Sequence, residues 1–378
     1  MEPVYLDCNA TTPCEKQVLD VMNHYLVEDF GNEGSRTHQH GTKAKAAVNL
    51  ARDQIANVLN CSRNEITFTS GATESNNISI LGLEEFGHKN NKKHIITSAI
   101  EHKAVLEPIE ILKSKGFKID VISPDQNGRI RAIDIQSKLR EDTLLVSIMS
   151  ANNETGVIQP IEEIVKILNP NVYFHVDAAQ SFGKIIEPLK DKRIDLISFS
   201  GHKIYASKGI GGLMTRLRDF EKPPLHPIVF GGGQEKGLRP GTLPVFLIAG
   251  LGKAAELALK NHKKRNEKNI SLQKQFINFL KEYKVHFNGD INHLLPNTIN
   301  FSIPGVDSEA FMLLSKDIMS VSNGSACTTS SYQPSHVISA MSNNKDVIKG
   351  AIRISWFHET KLHDSFFDNF KNLIQKLN

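Results

Sequence analysis

A lysine stands at position 203, just past an apolar run from Ile194 to Phe199 and the turn Ser200-Gly201-His202. The run reads as a buried strand. A lysine at the end of such a strand loses part of its hydration. That lowers its pKa and suits its amine to Schiff-base chemistry. The hydroxyl, the imidazole and the backbone N–H groups beside it, with glycines at 209, 211 and 212, suit a phosphate. A Schiff-base lysine beside a phosphate cradle is what pyridoxal phosphate requires. The same residues also fit an ordinary surface turn with an incidental lysine.

A second reactive group lies far along the chain. Ser320-Val321-Ser322-Asn323-Gly324-Ser325-Ala326-Cys327 opens a stretch, 320–333, that is small, polar and poor in apolar residues. It predicts a surface loop. A free cysteine is usually buried, but nothing here buries Cys327. Its thiol, near pKa ~8.5 when unperturbed, becomes a nucleophile only beside a cation or a proton acceptor. Arg353, on a predicted strand over 351–355, has the fork for a substrate carboxylate. An ion pair with a surface acid is its other reading.

These groups need a scaffold, and the pattern supplies one. Strands are predicted over 66–69, 93–97, 118–122, 144–149, 172–176 and 194–199, with helical spacing between them. Such alternation predicts an α/β domain with a mostly parallel, covered sheet. Ligands bind beyond the carboxyl ends of such strands. That rule places Thr73, His102, Asn153, Asp177, Ser200, His202 and Lys203 at one rim. Asp177 could pair with a protonated pyridine nitrogen or cap a helix. Gln180 could bond the ring oxygen. His102 could lie over the ring and move protons, or be a polar helix residue. The turn Ser70-Gly71-Ala72-Thr73 before a predicted helix is an anion site by its N–H groups.

A long helical pattern over 244–280 links this domain to a smaller α+β one, with strands predicted over 285–287, 298–302 and 351–355. The division is 14–255 for the large domain, and 1–13 with 256–378 for the small one, which carries the loop 320–333. The glycine-rich stretch 231–242 lacks the spacing of a dinucleotide site. His38 and His40 have no neighbouring ligand that would make them a metal site. The four cysteines form no C-x-x-C pair, which argues against structural zinc and a disulfide scaffold. A net charge of +4 is too small to imply direct nucleic-acid or membrane binding, and the basic run 262–268 reads as a solvated helix face. The first residues lack an apolar signal core, so a reducing cytoplasm is the expected location.

Taken together, Thr69-Ser70-Gly71-Ala72-Thr73-Glu74-Ser75, Glu101-His102-Lys103, Asn152-Asn153-Glu154, His175-Val176-Asp177-Ala178-Ala179-Gln180, Ser198-Phe199-Ser200-Gly201-His202-Lys203 and Gly324-Ser325-Ala326-Cys327 resemble the NifS/IscS-like cysteine desulfurases. These are pyridoxal 5'-phosphate enzymes of fold type I, the aspartate aminotransferase fold, here of the subclass with a long cysteine loop. The resemblance implies that Lys203 carries the cofactor. Ala72, Thr73, Ser200, Gly201 and His202 would hold its phosphate, joined by Thr242 from the other subunit of a homodimer. Asp177 and Gln180 would fix the ring, with His102 against it. Asn153 and Arg353 would bind L-cysteine. Cys327 would take its sulfur as a persulfide and pass it to an acceptor protein. Iron–sulfur assembly, tRNA thiolation and DNA phosphorothioation are the candidate destinations. Trp356-Phe357-His358 departs from the smaller segment of relatives and is expected to reshape the substrate entrance. Another fold-type-I aminotransferase or lyase, with Cys327 incidental, is the alternative reading. A non-catalytic protein that kept the fold is a third.

Overall fold

Helices and strands alternate from residue 63 to 215 in the computed structural model, which describes residues 2–324 and 334–377. In chain order the strands are β1 (Val4–Tyr5), β2 (Ile66–Thr69), β3 (His94–Ser98), β4 (Lys118–Ile122), β5 (Thr143–Ser147), β6 (Tyr173–Asp177), β7 (Leu196–Ser200), β8 (Gly211–Thr215), β9 (His286–Phe287), β10 (Thr298–Ser302), β11 (Met319–Ser320) and β12 (Ala351–Ser355). Seven of them form one sheet in the order β2-β8-β7-β6-β5-β3-β4. From β4 to β7 all pairs are parallel, and β8 runs antiparallel to both β7 and β2. So β2 points the same way as β7, and the carboxyl ends of β2, β3, β5, β6 and β7 share one rim.

Both faces of this sheet are covered, which is why its central strands read as apolar runs. Alternate residues serve opposite cores. Ile96, Val146 and Phe199 pack with the helices Gln39–Leu59 and Val245–Lys281. Ile95, Leu145 and Leu196 pack with the helices Ala72–Leu81 and Lys103–Ser114.

Three strands were not predicted from the pattern: the two-residue β1 and β11, the latter taking Ser320 out of the expected loop 320–333 by backbone pairing with β1, and β8. Gly209, Gly211 and Gly212 read as turn residues, yet Gly211 and Gly212 begin β8. Gly211 pairs with both Ser200 and Thr69. A Cβ on Gly211 would lie 2.5 Å from the Phe199 carbonyl oxygen and 2.6 Å from the Gly71 Cα. Glycine is there for close strand approach, not to display N–H groups.

The second unit has the antiparallel order β12-β10-β9 and the parallel pair β1-β11. Its core joins Phe276 and Leu280 to Trp356, Phe366 and Phe370. The helix Val245–Lys281, 37 residues long and so about 56 Å, enters both cores: Ile248, Leu251 and Ala255 lie in the first, Leu272, Phe276 and Leu280 in the second. Val337, from the stretch that chain order gives to the small domain, packs into the large core.

The N-terminal segment ties the units together. Leu6 and Cys8 bond to the backbone of Ser355, and Asn9 N donates to its Oγ at 2.9 Å. The segment then crosses to the turn after β7: Thr12 N donates to His202 O at 3.0 Å, and Glu15 N to Tyr205 O at 3.0 Å.

Gly211→Ala tests how tightly β8 is seated beneath Gly71. Overpacking of this kind costs about 1–3 kcal/mol. A urea melt should show a loss in that range; an unchanged midpoint would mean the strand has room to spare.

Candidate active site

A cavity of about 540 Å³ opens at the carboxyl rim of the seven-stranded sheet. Thr73, His102, Asn153, Asp177, Ser200, His202 and Lys203 all line it, as do Ala72, Gln180 and Arg353. The rim rule therefore brought together residues up to 130 positions apart, Thr73 to Lys203, and Arg353 joins them from the small unit.

The Lys203 amine donates to the backbone carbonyls of Asn9 and, at 2.7 Å, of Ala10. Gln180 Nε2 donates to the same Asn9 carbonyl at 3.0 Å. An amide nitrogen has two N–H groups, so one remains for a ligand oxygen. The N-terminal crossing thus aims both side chains.

Asp177 ends β6 and is 5% exposed. Asn76 Nδ2 donates to its Oδ2 at 2.8 Å, and Ala179 N to its Oδ1 at 2.8 Å. A carboxylate accepting charge-assisted bonds on both oxygens is fixed in direction. Asn76 is wholly buried on the inner face of the helix Ala72–Leu81. His102 caps the helix Lys103–Ser114, its Nδ1 accepting from Ala104 N at 3.0 Å. The neutral ring must then carry its proton on Nε2. Burial lowers the His102 pKa against the opposing pull of Asp177, with Lys203 and His336 adding to the fall. Beneath lies Glu101, fully buried, which accepts from Ser98 Oγ at 2.5 Å and Met149 N at 3.0 Å. Burial pushes its carboxyl up to about 8 against those bonds.

Arg353 is held by two acceptors: Nη1 donates to Asn153 O at 2.9 Å, and Nη2 pairs with Asp7 Oδ1 at 2.6 Å. Its Nε has no hydrogen-bond partner among the described residues, nor has Asn153 Oδ1. The guanidinium is oriented by the protein and keeps N–H groups for a carboxylate.

The helix Ala72–Leu81 starts with no side-chain cap at Gly71, leaving its first N–H groups for an anion. Ser200 and His202 stand beside it in the cavity wall. Burial, with Lys203 close by, lowers His202 to about 4, so its ring is neutral at ordinary pH. An amine, a fixed carboxylate, an anion-seeking helix start, and Asn76 Oδ1 and Gln180 Oε1 without hydrogen-bond partners among the described residues, together fit pyridoxal phosphate.

Four expectations need revision or fall elsewhere. Gly201 N donates to Ile210 O at 2.9 Å, so it offers no N–H to a phosphate. Thr242 is exposed and does not line the cavity of this single chain. Cys327 lies outside the described residues. Trp356 is fully buried on Phe276, while Phe357 and His358 pack by Tyr205 around a separate cavity of about 380 Å³. They shape the far side of the 203–205 turn, not the substrate entrance.

Asn9, Asn76, Asp7 and Glu101 were missed as site residues. The polar run Asp7-Cys8-Asn9-Ala10-Thr11-Thr12 beside an apolar start was the available signal for two of them.

Glu101 generates a pH test. Its pKa is raised on folding, from an ordinary 4.5 to about 8. The stability it contributes is full below 4.5 and is lost as pH climbs through about 8. Glu101→Gln should flatten the fall in melting temperature between pH 5 and pH 8; parallel curves for the two proteins would refute the assignment.

The family Aminotransferase class-V matches residues 4–364. The cysteine desulfurase IscS of Buchnera aphidicola is 44% identical over 357 residues, covering 93% of this chain and 87% of that protein. A NifS-like protein of known structure superposes with a TM-score of 0.90 at 36% identity, covering 99% of each chain. The structure of SspA in complex with cysteine gives a TM-score of 0.82 at 38% identity, covering 93% of this chain and 98% of that one. Its fold and a match along nearly its whole length make this chain a member of the class-V aminotransferase family.

Proposed function

We propose that the protein is a pyridoxal-phosphate-dependent cysteine desulfurase: L-cysteine and the Cys327 thiol become L-alanine and a Cys327 persulfide. The observation that carries this is the cavity itself, where Lys203, Asp177 and Arg353 converge and Gly324 forms part of the wall. Two residues separate Gly324 from Cys327, three Cα-to-Cα steps and so a covalent tether of at most about 11 Å. The desulfurase relative and the SspA–cysteine complex support the same substrate.

Bound pyridoxal phosphate supplies an electron sink for bonds broken at the substrate α-carbon. The helix start at Ala72 and Thr73, with Ser200 and His202, holds the phosphate end. Asp177, fixed by Asn76, keeps the ring nitrogen protonated, and Gln180 offers an N–H to the ring oxygen. Arg353 and Asn153 take the substrate carboxylate. Lys203 Nζ, released from its carbonyl partners, removes the α-proton and returns it later. His102 exchanges protons only through Nε2, since Nδ1 is tied to Ala104 N. The Cys327 thiolate attacks the substrate sulfur. A sulfur–sulfur bond forms, the carbon–sulfur bond breaks, and its electron pair stays with the carbon that becomes the alanine methyl.

Thr242 serves the partner subunit's phosphate site in a homodimer. The persulfide passes to an acceptor protein for iron–sulfur assembly, tRNA thiolation or DNA phosphorothioation. Free Cys8, Cys14 and Cys61 support a reducing cytoplasmic setting. No helix among the described residues is long and apolar enough to cross a membrane.

Purified holoenzyme given L-cysteine should release alanine with one bound sulfur per alanine. Cys327→Ser should lower alanine formation at least about a hundredfold, the cost of losing a nucleophile, and keep the visible cofactor band. Lys203→Ala should lose that band unless amine is added. A keto acid in place of alanine would instead point to an aminotransferase.

A further inference from the structure

Two stretches of the sequence have no task in the desulfurase site: the basic run 262–268 and the segment Trp356-Phe357-His358. The fold brings them together. Asn261, Lys264, Arg265 and Lys268 recur at helical spacing on one stripe of the helix Val245–Lys281. That stripe lines the cavity of about 380 Å³ beside Tyr205, and so do Phe357 and His358. The basic run is therefore only in part a solvated face.

A helix start completes the wall. The helix Lys16–Val27 begins at the cavity, where Glu15, Lys16 and Gln17 line it. Its N-cap Glu15 makes no side-chain cap bond, and its first turn holds no acid. The first N–H groups of a helix have no partner within it and favour an anion.

Beside the helix start, two buried side chains lack partners. Arg265, with 8% of its side chain exposed, pairs through Nη2 with Glu15 Oε1. Its Nε has no hydrogen-bond partner among the described residues. His358, with 9% of its side chain exposed, holds Nε2 3.3 Å from the same Glu15 oxygen, and its Nδ1 has no partner either. Burial, with Arg265 and Lys268 near, lowers the His358 pKa to about 4, so the ring is neutral at ordinary pH. The carboxylate draws its one proton to Nε2, which leaves Nδ1 as an acceptor. A ligand here must offer an acceptor to Arg265 and a donor to His358.

Charge narrows the choice. Glu15 answers Arg265, and Lys16 pairs with Asp20 at 3.0 Å. Lys264 and Lys268 have no acid partner among the described residues, and the other acid of the lining, Glu359, is exposed. Two ammonium groups, the Arg265 Nε–H and the helix N–H groups outnumber the two oxygens of a carboxylate. They match the three outer oxygens of a phosphoryl group. A volume of about 380 Å³ has room for a small molecule, not an ion alone.

We propose that this cavity is a second ligand site, separate from that of the cofactor, for a small hydroxylated phosphate ester. Its phosphoryl group sits at the start of the helix Lys16–Val27 with Lys264, Arg265 and Lys268, and a hydroxyl donates to His358 Nδ1. The site stands whether or not the enzyme is a desulfurase.

Equilibrium dialysis of the holoenzyme against labelled glycerol 3-phosphate tests it. One site per chain should fill, with half-saturation at or below about 1 mM and the visible cofactor band unchanged. Inorganic phosphate should compete more weakly than the unlabelled ester, and glycerol and acetate should not compete. Lys264→Ala with Lys268→Ala, both exposed and so safe for folding, should weaken binding at least about tenfold, the loss expected for charge-assisted bonds. Lys263→Ala, in the same basic run but outside the cavity, should leave binding unchanged. His358→Ala should erase the preference for the ester over phosphate. No saturable binding by the parent overturns the proposal. An equal loss from Lys263→Ala also overturns it, since that marks a diffuse basic surface. Phosphate binding as tightly as the ester to the parent overturns the assignment of the hydroxyl.

Discussion

The site depends on the crossing of residues 7–12 from the small sheet to the turn after β7. This one segment, which turns where Ala10 N donates to Asp7 O, is bonded at its start to Ser355 and beyond its end to His202 and Tyr205. Between those ends, the carbonyls of Asn9 and Ala10 aim the Lys203 amine, Asn9 also takes Gln180, and Asp7 takes Arg353. Lys203 and Arg353 come from different units of the molecule. A backbone of a few residues sets their separation.

Around that crossing, protein hydrogen bonds fix the buried charge. Asp177 is buried, and its two oxygens are satisfied by Asn76 and Ala179. An unpaired buried carboxylate would cost far more than the one or two hydrogen bonds that hold it. His102 and His202 are kept toward the neutral form mainly by burial, which leaves Lys203, Lys208 and Arg353 as the cations in the cavity lining.

Much of this was legible in the chain. Strand–turn–helix alternation placed Thr73, His102, Asn153, Asp177 and Lys203 at one rim, because parallel strands carry their carboxyl ends together. β8 was hidden, since glycine has low strand propensity and its use here depends on what packs across it. Asn9 and Asn76 were hidden for a different reason. An asparagine matters through a partner a hundred or more residues away, and no local spacing records that. The Trp356-Phe357-His358 segment misled by sequence proximity to Arg353. Successive residues of an extended chain point to opposite faces, so a neighbour of a site residue need not share its site.

The long helix Val245–Lys281 has a consequence for how the molecule comes apart. Ile248 and Leu251 belong to one apolar cluster, Phe276 and Leu280 to the other, with unbroken helical backbone between them. A proteolytic cut that freed either unit would strip it of a wall and leave greasy surface bare on the fragment. The two lobes are therefore not interchangeable modules that evolution or a cloning vector can shuffle; they share a girder, and they are inherited together.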